Sequence, residues 1–238
     1  MTNSQEILEA LNDLAIKENV EILSRFFKTG KGEYGEGDVF LGVKVPESRT
    51  VVNAFWGKTT LEDVQELLES KYHEMRLVGL LILVKKFEKS KDLNIKKEIV
   101  DFYLKNTRYI NNWDLVDQSC YKILGNYCFE NKQDKILRTL SNSDQLWEKR
   151  IAVVGTLYFV KQNSFELTQE LVLNNLNHPH DLMHKANGWM LREMGKKDET
   201  TLLNFLNREY HKMPRTCLRY AIEKLEETLR QDYLKGRV

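Results

Sequence analysis

From about residue 60 onward the hydrophobic pattern of this 238-residue chain repeats one theme. A basic or polar residue leads a segment that is then apolar at helical spacing. The segments are Arg76-Leu77-Val78-Gly79-Leu80, Arg150-Ile151-Ala152-Val153-Val154, Lys185-Ala186-Asn187-Gly188-Trp189 and Arg215-Thr216-Cys217-Leu218-Arg219. Apolar residues recurring at this spacing predict amphipathic helices. The first two leaders stand about two repeats apart, with a Trp113 segment between them, and later gaps run roughly 30 to 35 residues. A period of that size predicts stacked helical pairs, none able to bury its apolar face alone. Thr60–Ser70 and Ser164–Leu176 supply the second helices of such pairs. About a dozen short helices exceed what a four-helix bundle holds. The pattern therefore predicts an all-α solenoid, an α-α superhelix forming a single domain over residues 1–238.

Composition agrees. Only three prolines accompany many Leu, Lys and Glu residues. No apolar run reaches the roughly 18 residues of a membrane span. The longest, Leu77 to Val84, stops at Lys85-Lys86, and the polar, acidic N-terminus is unlike a signal peptide. Cys120, Cys128 and Cys217 form no CxxC pair, so buried free thiols in a reducing compartment are expected. A cytoplasmic monomer with no membrane attachment follows. The net charge of +1 hides an uneven spread. Residues 1–70 carry seven Lys/Arg against thirteen Asp/Glu; residues 71–238 carry 29 against 22. A basic concave face is permitted in the later part, and only folding can create it.

Two apparent motifs lose their force in context. Gly30-Lys31-Gly32-Glu33-Tyr34-Gly35 matches GxGxxG, but a dinucleotide site needs a preceding strand, and a helical stretch precedes this one. An irregular Gly-rich loop near 29–39 is expected instead. His178-Pro179-His180 with His184 suggests a metal only until the missing Cys or carboxylate ligands are counted; His180-Asp181 reads as a helix start. Trp56, Trp147 and the Phe26-Phe27 pair sit on apolar stripes and are expected in the core.

The chemistry is densest in Tyr109-Ile110-Asn111-Asn112-Trp113-Asp114-Leu115-Val116-Asp117. If Trp113 opens a helix, its indole and the Asp117 carboxylate share a face as an i,i+4 pair. The positive end of the helix dipole favours an ionised carboxylate there. An aromatic surface beside a fixed anion suits a cationic, sugar-like species. The plainer reading is that Trp113 packs, Asn112 or Asp114 caps the helix, and Asp117 only satisfies its dipole.

Trp113-x-x-x-Asp117 is followed by Trp147-Glu148-Lys149-Arg150 and by Lys185 to Glu193, and preceded by Phe40-Leu41-Gly42-Val43 with Pro46-Glu47-Ser48-Arg49. In this order and at these intervals the segments resemble the AlkD-like DNA glycosylases, bacterial DNA alkylation repair enzymes built from HEAT-like repeats. The resemblance runs from about residue 20 to the C-terminus. It implies a HEAT-like helical-repeat solenoid that hydrolyses the N-glycosidic bond of cationic N3- or N7-alkylated purines in duplex DNA, a base excision repair activity. By the same resemblance Asp117, Trp113, Trp189 and Arg150 are the catalytic residues. Lys149, His184, Lys185 and Arg192 contact DNA, and neither metal nor organic cofactor is needed. Arg150 would clamp a phosphate or orient Asp117, tasks that suit a bidentate guanidinium. The sequence shows no obvious base pocket, and the resemblance implies engagement of the lesion mainly through its backbone. Two features depart from the family: the Gly-rich insertion, and Tyr158 where some relatives carry lysine. The competing class is a non-catalytic HEAT-repeat scaffold that binds DNA or protein.

Overall fold

The computed structural model describes residues 2–238, and every regular element among them is helical. The chain divides into two compact units, Met1–Ser119 and Cys120–Val238. The N-terminal unit contains α1 (Asn3–Leu14), α2 (Lys17–Phe26), α3 (Val45–Phe55), α4 (Leu61–Leu68), α5 (His73–Lys89) and α6 (Leu93–Lys105), and α7 (Trp113–Cys120) begins in it. Its core is α5, in which every residue from His73 to Val84 is buried. A helix that is apolar on all sides must be surrounded. Accordingly α3 and α4 pack on α5, and α1 lies against both. Thr60 starts α4 through a reciprocal capping box with Asp63, so α4 opens with its N–H groups satisfied.

The Gly-rich stretch forms consecutive turns between α2 and α3, held by its own carboxylates. Gly30 N–H donates to Glu33 at 2.9 Å and Gly32 N–H to Glu36 at 2.7 Å. A single parallel bridge, Val39 with Tyr72, then fixes the chain beside the start of α5. Gly42 follows at φ +95°, where a Cβ would lie 2.3 Å from the Ile16 carbonyl oxygen. Both the handedness and the close approach require glycine.

In the C-terminal unit a π-helical turn, Tyr121–Gly125, runs into α8 (Asn126–Glu130). Then come α9 (Lys135–Ser141), α10 (Leu146–Gly155), α11 (Leu157–Lys161), α12 (Glu166–Asn174), α13 (Asp181–Lys197), α14 (Glu199–Glu209), α15 (Arg215–Ala221) and α16 (Glu227–Lys235). Here α13 is central and packs on α10, α11, α12, α14 and α15. It meets α15 so closely that a Cβ on Gly188 would stand 2.4 Å from the Cys217 carbonyl oxygen. The expected second helices are present as α4 and α12.

Cys120, Cys128 and Cys217 are buried thiols outside any disulfide, as expected. Burial pushes the Cys128 and Cys217 thiols up to about 12, which leaves them inert as nucleophiles at neutral pH. Among the described residues no helix is long and apolar enough to cross a membrane. One core expectation fails. Phe27 is buried, but Phe26 is 61% exposed, because it stands at the rim of a cavity with its ring only edge-on to Trp113 of α7. Trp56 and Trp147 are half-buried.

Candidate active site

Asn112 starts α7. Its carbonyl accepts the Val116 N–H at 3.2 Å, and its side-chain oxygen accepts the Trp113 N–H at 2.8 Å. Asp114 adds a third such bond, accepting the Leu115 N–H at 2.8 Å. With Trp113 as the first helical residue, Asp117 lies one turn further on the same face, and both are half-buried. Of the two residues, Asn112 or Asp114, expected to cap the helix, Asn112 stands at its start, and Trp113 and Asp117 share one face as expected.

The indole of Trp113 is clamped by aromatic rings. Phe27 stacks on it with centroids 5.0 Å apart and planes 17° apart, and Phe26 meets it edge-on at 5.6 Å. Phe27 also stacks on Phe40 at 5.1 Å, and Phe40 on the His73 ring at 4.7 Å. A column of rings therefore runs from α7 to the first residue of α5.

Below this column lies a buried charge network. His73 Nδ1 is 3.1 Å from Asp38 Oδ2, and His73 Nε2 is 2.8 Å from Asp114 Oδ2. Arg76 donates to the other Asp38 oxygen at 2.5 Å, and Asn112 donates to Asp38 Oδ2 at 3.0 Å. Ionised carboxylates only accept, so both imidazole nitrogens must donate and His73 is an imidazolium. Burial alone would lower its pKa, but the charge and hydrogen bond of Asp114, then those of Asp38, raise it to about 9. Burial would likewise raise Asp38; the His73 hydrogen bond, Arg76 and Asn112 outweigh it and hold the carboxyl below its usual range. Glu74 anchors the adjoining loop by accepting the N–H groups of Leu41, Gly42 and Val43 at 2.9 to 3.2 Å. Sequence reasoning takes Asp114 only as a cap and passes over Asp38, His73 and Glu74. The available signal is that His73, Glu74 and Arg76 open a helix buried on every side, where charges need partners.

Against the network lies a cavity of about 430 Å³, lined among others by Ile22, Phe26, Phe40, His73, Trp113 and Asp114. The sequence gives no sign of such a pocket.

The remaining expected residues fall in the C-terminal unit. Arg150 on α10 is buried at 4% exposure, and its Nη1 donates to the Leu182 carbonyl at 2.6 Å. It therefore ties α10 to the first turn of α13. Lys149 Nζ donates to the Ser141 carbonyl at 3.1 Å. His184 Nε2 donates to the His178 carbonyl at 2.6 Å, and Lys185 pairs with Asp181 at 2.9 Å. Trp189 is half-buried and donates from Nε1 to Glu193 at 3.2 Å. Arg192 pairs with Glu223 and lies over the Tyr220 ring. Tyr158 donates to Glu130 at 2.9 Å. His180 caps α13, its Nδ1 accepting the Leu182 N–H at 3.1 Å, a role open only to an unprotonated nitrogen. Burial, then nearby positive charge, lowers the pKa of His178, and His180 is lowered in the same direction. Among the described residues no group of three or more His, Cys, Asp or Glu is placed to hold a metal ion.

Comparison with known proteins adds to this geometry. A family model described as DNA alkylation repair enzyme matches residues 7–225. Among solved structures, a predicted DNA alkylation repair enzyme from Enterococcus faecalis aligns with a TM-score of 0.69 at 15% identity, covering 90% of this chain and 97% of that one. At that identity the likeness speaks for the fold, and it bears out the expected all-α helical-repeat class. A search of curated proteins finds no match.

Proposed function

The chain belongs to the DNA alkylation repair enzyme family, and on that premise we propose that it is a monofunctional DNA glycosylase acting on cationic N3- or N7-alkylated purines in duplex DNA. The observation that carries this reading is the Trp113–Asp117 pair at the start of α7, its indole clamped by Phe26 and Phe27. An alkylated purine is already positively charged while attached to the sugar and departs as a neutral base, so the general acid of ordinary glycoside hydrolysis is dispensable. What remains is to stabilise an oxocarbenium-like sugar and admit water. Asp117 supplies fixed negative charge to that sugar and orients the water, a preorganised electrostatic contribution. Trp113 and Trp189 offer aromatic faces to the growing positive charge. With Phe27 stacked on Trp113 and Phe26 edge-on to it, only the part of the indole that these rings leave open serves. Arg150, held by the Leu182 carbonyl, contributes positive charge for a phosphate. The test is release of 7-methylguanine or 3-methyladenine from methylated duplex DNA by the purified protein; absence of release would overturn the reading.

One observation favours the second reading, a non-catalytic scaffold. Lys149, His184, Lys185 and Arg192 already have protein partners, as expected of a surface that uses its charges internally. A scaffold would bind DNA or protein and release no base.

A further inference from the structure

From His73 to Lys89 the axis of α5 rises about 24 Å, so its last turn stands well away from the Trp113 cavity. At that far end α4 and α6 both pack on α5 and leave a groove between them. A cavity of about 450 Å³ opens in the groove, walled by Trp56, Leu61, Lys86, Lys89, Ile95 and Ile99. A second, of about 530 Å³, continues it along α6 and shares Leu61 and Glu98 with the first. Both fall within the range of about 300 to 1,000 Å³ typical of ligand sites.

Apolar and cationic groups meet at the first cavity. Leu93 and Ile95, at the start of α6, are 63% and 46% exposed although both are large and apolar. Trp56, at the end of α3, is half-buried and supplies an aromatic wall. Around them the chain from Lys85 to Lys97 places six lysines against Glu88 and Asp92. Lys85 donates to Asn53 and lies over the Trp56 ring, and Lys97 pairs with Asp101. Lys86 and Lys89 close no ion pair among the described residues. Lys86 is half-buried, and burial pulls its pKa down with only the Asp63 charge to oppose it. A partly buried cation without a bonded anion is unfavourable, and a ligand carboxylate would relieve it.

The second cavity reverses the sign, since Glu62, Glu98 and Asp101 line it beside Lys105. A polyanion along the whole groove would meet these carboxylates. A phosphodiester backbone also has nothing apolar to lay on Leu93 and Ile95. The occupant must instead combine an apolar side chain with negative charge at one end only. The groove follows α6 from Ile95 to Lys105, about 15 Å of helix, which accommodates about four to five residues of extended chain.

We propose that the groove between α4 and α6 is a docking site for a short acidic peptide segment of a partner protein. A bulky apolar side chain enters the cavity beside Trp56, and the carboxylates next to it meet Lys86 and Lys89. Apolar burial gives affinity, and the change of sign along the groove sets the acidic end of the peptide beside Trp56. The site shares no residue with the Trp113 cavity, and peptide docking does not depend on base release.

The probe is a fluorescein-labelled peptide with an Asp-Asp-Phe core between Gly and Ser residues, titrated with the intact protein and followed by anisotropy. It should bind saturably. Replacing its Phe by Ala should weaken binding by about tenfold or more, and replacing its Asp residues by Asn should weaken binding and reduce its salt dependence. In the protein, Lys89→Glu and Ile95→Asp should each cost about tenfold in affinity. Both side chains are exposed, so the melting temperature should not move. Neither change should alter duplex DNA affinity or base release. No binding, equal binding of the Phe and Ala peptides, or unaltered Lys89→Glu and Ile95→Asp proteins would overturn the proposal. Displacement of the peptide by a single-stranded oligonucleotide would assign the groove to nucleic acid, and a dimer abolished by Ile95→Asp would assign it to a second copy of this chain. Either result would overturn it too.

Discussion

In the N-terminal unit the charges near Trp113 are buried and meet one another: Asp38, His73, Arg76 and Asp114 form one closed network. In the C-terminal unit Lys185 and Arg192 pair with Asp181 and Glu223 at or near the surface. The two arrangements differ in what breaking them costs. Removing one member of a buried pair leaves an uncompensated charge and costs about 3–5 kcal/mol, whereas an exposed pair contributes about 0–1 kcal/mol. Buried pairing therefore fixes geometry, here the start of α5 against the start of α7. Surface pairing is loose enough for a DNA phosphate to replace the carboxylate. In the proposed function Lys185 and Arg192 would exchange these carboxylates for DNA phosphates.

The largest effect expected from this contrast comes from His73→Asn. It leaves Asp38 and Asp114 facing each other across the network, and stability should fall by about 3–5 kcal/mol. Chemical denaturation would measure it, and a loss below about 1 kcal/mol would show that the network does not fix the unit. A smaller, graded effect follows from pH. The His73 pKa is raised in the folded state, so its stabilisation is fully present below the unfolded value near 6.5 and is lost as pH climbs through about 9. The melting temperature should decline between neutral pH and pH values above that point, and the decline should vanish in His73→Asn. The smallest effect belongs to the surface pairs. Arg192→Ala should leave stability nearly unchanged while flattening the slope of log K against log salt for duplex DNA by about one unit. Glu223→Gln, which removes the stronger of the two carboxylate partners of Arg192 and leaves Glu193, should act oppositely and tighten binding. If both variants leave DNA affinity untouched, the scaffold reading gains.

The same contrast explains what the sequence discloses. Trp113 and Asp117 are legible because an i,i+4 pair inside one helix is a local fact, and the repeating leaders Arg76, Arg150, Lys185 and Arg215 are legible as a period. His73 is not, because its partners Asp38 and Asp114 stand 35 and 41 residues away and leave no periodic trace. Phe26 misleads for a related reason. Its stripe on α2 reports apolarity, and only the folded unit shows that it stands at a cavity mouth, touching α7 only through the Trp113 ring. Arg150 reads equally well as an exposed residue or a clamp; the Leu182 carbonyl that buries it comes from another helix.

The role proposed for Asp117 is to supply negative charge to the oxocarbenium-like sugar as the alkylated base departs. It is tested most directly by single-turnover release of 7-methylguanine from methylated duplex DNA, with wild type and Asp117→Asn compared at matched DNA occupancy. Asn keeps the size and polarity of the side chain and removes only the charge. Release should fall by about 10²-fold or more, with DNA affinity preserved. Near-native release by the Asn protein would contradict the account and return Asp117 to the role of a helix-dipole partner.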